Sequence, residues 1–161
     1  MAYAIVRTDL MSGTKQPADL VSIKYQVSSV DTAIENGNVA LVGALGTGER
    51  EVYLASAPTA TSALEDVVLV ATPELNYDER LKNLNQFRNE AGEIARGYRL
   101  RSGNVFSVTA EALTATTPAV GNIVELQADT KLKVVSSLTS GSTKVGTVIA
   151  IEGDYIVIRV A

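Results

Sequence analysis

Ser12-Gly13-Thr14-Lys15 has the S-x-x-K spacing of serine–lysine acyl-transfer enzymes. That chemistry needs companion S-D-N and K-T-G motifs, and neither occurs in the chain. Carboxylates pair closely at Glu49/Glu51, Glu65/Asp66, Asp78/Glu79 and Glu152/Asp154. On a strand, positions i and i+2 share a face at about the 6.5–9.5 Å that inverting glycosidases use. Yet Glu152 and Asp154 straddle Gly153, a turn residue, and Glu49 and Glu51 flank Arg50, so solvated turns explain both better than a carboxylate hydrolase. Asp129, Glu152 and Asp154 are oxygen donors for a divalent cation, but they lack EF-hand spacing and no metal site is expected. Gly43-Ala44-Leu45-Gly46-Thr47-Gly48 matches neither G-x-G-x-x-G nor a Walker loop and is read as a turn.

The 161 residues contain neither Cys nor His. This excludes disulfides, thiolate nucleophiles, Ser-His-Asp and Cys-His catalysis, and imidazole metal sites. No catalytic residue, cofactor or metal is therefore assigned. The net charge of −4 opposes nucleic-acid binding, which favours a basic footprint. No apolar run approaches the ~18 residues of a membrane span, and the amino-terminal residues lack the basic n-region of a secretory signal. Synthesis in the cytoplasm is expected. The one local positive excess is Arg88, Arg96, Arg99 and Arg101, a solvated face or a contact for an acidic partner surface.

The elements that would position these residues are mostly strands. The strongest pattern lies in residues 118–161, with four short strands at 122–127, 131–136, 145–151 and 155–160. Leu132 and Val134 alternate with Lys131 and Lys133; Ile156, Ile158 and Val160 alternate with Tyr155, Val157 and Arg159. Hairpins with one apolar face need a partner layer, so they must close into a barrel or pack as a sandwich. Upstream, residues 2–8 form a strand or an extended arm with Tyr3, Ile5 and Arg7 on one side, and residues 20–27 alternate as a strand. Glu35-Asn36-Gly37-Asn38 is a turn leading into a strand at 39–45. Residues 49–55 are a strand, 66–71 a strand buried on both faces, and 105–113 a further strand. A single short α-helix is expected near residues 76–90, opened by an Asn76/Glu79 capping box and weakened by Asn83, Asn85 and Asn89. The expected whole is one compact unit over 1–161. It comprises an arm and β-rich part (1–73), a helical segment (74–96) and a carboxy-terminal small β-barrel (97–161).

Within that last block, Ala119-Val120-Gly121-Asn122-Ile123-Val124, Thr130-Lys131-Leu132-Lys133-Val134 and Lys144-Val145-Gly146-Thr147-Val148 carry a resemblance. The region is similar to the small β-barrel of tailed-bacteriophage head decoration, or cement, proteins. Some 45 residues share it, through common residue types. The resemblance implies a non-enzymatic virion protein that binds the outer surface of the capsid lattice through the major capsid protein and stabilises the head. It implies a homo-oligomer, with a trimer favoured, made in the host bacterial cytoplasm and placed on the capsid exterior. The candidate capsid contacts are Tyr3, Ile5 and Arg7 of the arm, which would add a strand to the shell protein, together with Arg96, Arg99 and Arg101. The competing expectations are another virion component (a head-fibre base, or a neck or tail protein) and a carbohydrate-binding module.

Overall fold

The structure is a computed structural model and describes residues 3–8, 11, 19–75, 84–114 and 117–161. It is mainly β. The first sheet contains β1 (Leu20–Val27), β2 (Val30–Asp31), β3 (Val39–Leu45), β4 (Val52–Ser56), β5 (Val67–Val70) and β6 (Ala95–Arg99). Its order is β2-β1-β4-β3-β5-β6, and an added β1–β6 pairing closes it into a barrel. The second contains β7 (Val105–Thr109), β8 (Leu113–Thr114), β9 (Ile123–Glu125), β10 (Leu132–Val135), β11 (Lys144–Glu152) and β12 (Tyr155–Val160), ordered β7-β12-β11-β9-β10-β8, and curls into a half-barrel. Pairing is antiparallel except for β1 with β4 and β10 with β8.

Strand alternation sets which side chains each barrel encloses. In β1 the buried residues are Val21, Ile23 and Tyr25, which meet Ala40, Ala55, Val68, Val70 and Ala95 inside the first barrel. All four residues of β5 are buried, as its unbroken apolar run foretells. Val68 and Val70 face the barrel interior, while Val67 and Leu69 face away from it. These outward residues join Val39 and the second sheet's Phe106, Val124, Leu132, Val148, Ile156 and Ile158 in a second core. Both sheets therefore share one apolar layer, and the block expected to start at residue 97 begins inside β6 of the first barrel.

Three expectations need correction. Of the helix near residues 76–90, residues 76–83 lie outside the described residues; beyond them there is only a 3-10 turn at Leu84–Gln86. Asn89 is then held as a β-bridge partner of Ile34, their N–H and C=O groups exchanging hydrogen bonds at 2.9 Å. Its side-chain amide also donates to the Ile34 carbonyl at 3.1 Å and to Asn36 at 3.2 Å. Tertiary bonds to a buried Asn override the apolar spacing that suggests a helix. The strand expected over 105–113 is interrupted at Ala110–Ala112 by a further 3-10 turn, which carries the chain from β7 to β8 on the far edge of the sheet. Residues 95–99, noted only for their arginines, form the strand that closes the first barrel.

The arm is docked on its own chain. Val6 bridges Val108, the Arg7 amide donates to Ser107 at 3.0 Å, and the Thr109 amide donates to Ile5 at 3.0 Å. Ala4 and Val6 point into the shared core, each 2% exposed. The Asn36-Gly37 turn presses on this junction. Gly37 has φ +86°, a conformation that favours glycine, and a Cβ there would sit 3.2 Å from the Ala112 methyl, a tight contact.

Candidate functional site

Tyr3 and Ile5 line a groove of about 510 Å3 between the arm and the β11–β12 turn. Pro118, Ile151 and Ile156 complete its apolar wall; Asn85, Thr109, Glu111 and Asp154 supply its polar groups. Each wall is fixed from below. The arm is pinned by its bonds to β7, and the Tyr3 amide donates to the Asn85 carbonyl at 2.8 Å. Glu111 sits on the 3-10 turn after β7. Asp154 follows Gly153, whose φ of +61° lets β11 reverse into β12.

β11 carries a bulge. Val148 pairs with Ile158 but Ala150 pairs with Val157, so Ile149 has no opposite residue. Val148 remains buried while Ile149 and Ile151 are 37% and 45% exposed. The nearby Val120 is 63% exposed, in the turn whose Gly121 amide donates to the Val148 carbonyl. Of these exposed aliphatic side chains, Ile151 lines the groove.

Two cations cap the groove's aromatic neighbours. The Arg88 guanidinium lies 5.2 Å from the Tyr3 ring centroid, and that of Arg7 5.4 Å from the Tyr155 centroid. Arg88 is also paired with Glu90 at 3.0 Å. The Glu111 carboxyl is held below its ordinary value by the Thr109 hydroxyl and then by its own backbone N–H; burial opposes this, and Lys131 adds to it.

The structure disperses the sequence-adjacent arginines. Arg96 and Arg99 are three residues apart on a strand and so take opposite faces. Arg96 lies exposed on the outer face, and its backbone amide donates to the Thr72 hydroxyl at 2.9 Å. Arg99 donates to the Glu65 carbonyl at 2.7 Å and joins Arg50, Ser22 and Tyr53 around a cleft of about 300 Å3 at one barrel mouth. Arg101 pairs with the buried Asp19 at 2.9 Å. The carboxylates are re-sorted likewise: Asp154 shares the groove with Glu111, and not with Glu152. Ser12 and Lys15, and the Asp78/Glu79 pair, lie outside the described residues. Among the described residues no group of three Asp or Glu side chains could hold a metal ion.

Glu125 escaped sequence reasoning. It is 1% exposed, yet accepts bonds from the Thr139 hydroxyl at 2.6 Å and amide at 2.8 Å and pairs with Lys133 at 3.2 Å. Burial alone would raise its pKa; Thr139 and Lys133 outweigh that and hold the carboxyl below its ordinary value. The only sequence signal is an acid between Val124 and Leu126, indistinguishable from a solvated strand position. Its bonds to Thr139 tie the segment between β10 and β11 to β9. Asn38 carries a buried Oδ1 with no hydrogen-bond partner among the described residues.

No protein-family model matches this chain, and no curated protein matches it either.

Proposed function

We propose that this protein is a non-enzymatic bacteriophage virion structural protein, which binds the outer surface of the capsid lattice and stabilises the head as a decoration protein. The reading rests on the resemblance of residues 119–148. The observation that supports it is exposed aliphatic surface on the second sheet: Ile151 lines the groove formed by Tyr3 and Ile5, and Ile149 and Val120 stand uncovered on β11 and in the turn before β9. Exposed aliphatic side chains ringed by polar groups suit a recurring protein contact.

Binding in this reading uses the arm's outward side chains, not its backbone. The hydrogen bonds by which a free arm would extend a foreign sheet are already given to β7. Tyr3, Ile5 and Ile151 meet the major capsid protein, while Arg96, exposed on the opposite barrel, is a separate contact for an acidic surface. Each subunit's contact is small, so display of several subunits in a homo-oligomer, a trimer by resemblance, supplies avidity.

The test is co-sedimentation of purified protein with undecorated phage capsids. Stoichiometric pelleting that falls at least about tenfold in an Ile5→Ser/Ile151→Ser variant is expected, corresponding to two anchors worth about 1 kcal/mol each. Protein left in the supernatant by shells with vacant outer sites overturns the decoration role. Deleting the arm is the poorer test, because it uncovers the core beneath Ala4 and Val6.

A further inference from the structure

We propose that the groove between the arm and the β11–β12 turn is a docking site for an extended peptide segment of the partner, bearing a lysine or arginine among apolar side chains. This deepens the surface-binding reading above and rests on it. The groove combines two features that call for different parts of one side chain. Ile5, Pro118 and Ile151 give an aliphatic wall, with Ile151 45% exposed. Glu111 and Asp154 add two carboxylates, and neither forms an ion pair among the described residues. A lysine or arginine lays its methylene stem on apolar surface and presents its charge at the end, which matches that arrangement.

Among the described residues the surrounding charges leave this demand unmet. Arg88 is engaged by Glu90 and stacks on Tyr3, and Arg7 stacks on Tyr155. Lys131 acts on Glu111 only as the weakest of the influences on its ionisation. A glutamate carboxyl is ionised at neutral pH, and the bond from Thr109 favours that charged form further. The chain's own net charge of −4 disfavours a second copy as occupant and favours a partner segment of opposite sign. The groove's volume of about 510 Å3 accommodates a few residues of extended chain.

The experiment titrates the isotope-labelled full chain with a blocked Val-Lys-Val-Lys-Val peptide and with its Val-Glu-Val-Glu-Val counterpart, following backbone amide shifts. The lysine peptide is expected to shift the amides of Glu111, Gly153 and Asp154, saturably and less at high salt; the glutamate peptide is not. An E111Q/D154N variant is expected to bind the lysine peptide at least about fivefold more weakly. Equal response to both peptides, shifts confined to other surfaces, or undiminished binding by the variant overturns the inference. A concentration-dependent dimer that E111Q/D154N dissociates overturns it too, making a second copy the occupant. Capsid pelleting separates this inference from the decoration role. If wild type and E111Q/D154N pellet equally, the groove proposal fails and decoration stands. If neither pellets, decoration fails, and the peptide titration alone decides the groove.

Discussion

The closed barrel and the half-barrel solve the same packing problem differently. The first closes on itself through the β1–β6 pairing and fills its interior with small side chains: Val21, Ala40, Ala55, Val68, Val70 and Ala95 around Ile23 and Tyr25. The second has larger residues, among them Phe106, Leu126, Leu132 and Ile158, and completes its core with material from outside its sheet. That material is the outer face of β3 and β5 on one side and the arm's Ala4 and Val6 on the other. A self-contained barrel can serve as a platform, whereas one whose core is completed by neighbours depends on them for stability. The candidate groove lies on the dependent barrel, where the arm is both core plug and binding wall.

The largest effect should come from the shared layer. Leu69→Ala removes a fully buried side chain between the barrels and is expected to cost about 3–4 kcal/mol. Denaturation followed by amide signals from each barrel should show both lost in one transition. Loss of the second barrel ahead of the first would mean that the two cores are separable.

Glu125→Gln is next, at about 2–3 kcal/mol, because Lys133 loses its counter-charge and the Thr139 amide loses an anionic acceptor. The sign of its pH dependence follows from the depressed pKa. The wild-type contribution is fully present above the ordinary value of 4.5 and is lost as pH falls through the lower folded value. Denaturation midpoints measured from pH 7 downward should converge for wild type and variant below that value; a constant gap would refute the linkage.

Val6→Ala sharpens the contrast by loosening only the arm, at about 1–2 kcal/mol. Hydrogen exchange should quicken at Arg7 and Thr109, the amides bonded across the arm–β7 junction, and stay unchanged in β1 and β4. The smallest effect concerns the first barrel. Ser28 and Ser29 turn β1 into β2 with φ of 51° and 65°, a left-handed conformation that favours glycine. Ser29→Gly should raise stability by about 0.5–1 kcal/mol, read as a higher denaturation midpoint.

Much of the fold was legible because burial on a strand has a period of two. The alternation in residues 20–27 gives β1 with its bounds and its buried face, and the apolar run at 67–70 marks the strand buried on both sides. Asn36-Gly37 announces its turn, and Gly153 that between β11 and β12. The candidate site was half legible. Tyr3 and Ile5 stand on one side of the arm as their spacing indicates, but nothing in the sequence places them beside Glu111, Ile151 and Asp154. Nearness along the chain also misled for the arginines, since strand alternation and barrel closure send Arg96, Arg99 and Arg101 to three different surroundings.

Local pattern by itself thus determined a β-rich chain without imidazole or thiol chemistry, the faces of its regular strands and the positions of its sharp turns. Tertiary structure alone decided that β1 meets β6 to close a barrel, that Asn89 bonds Ile34 instead of joining a helix, and that a bulge in β11 leaves Ile149 without an opposite residue and sets Ile151 against Ile156. The physical reason is range. Side-chain alternation and turn conformation are set within a few residues, while strand partners, buried ion pairs such as Glu125 with Lys133, and grooves arise from contacts between segments whose meeting no local pattern encodes.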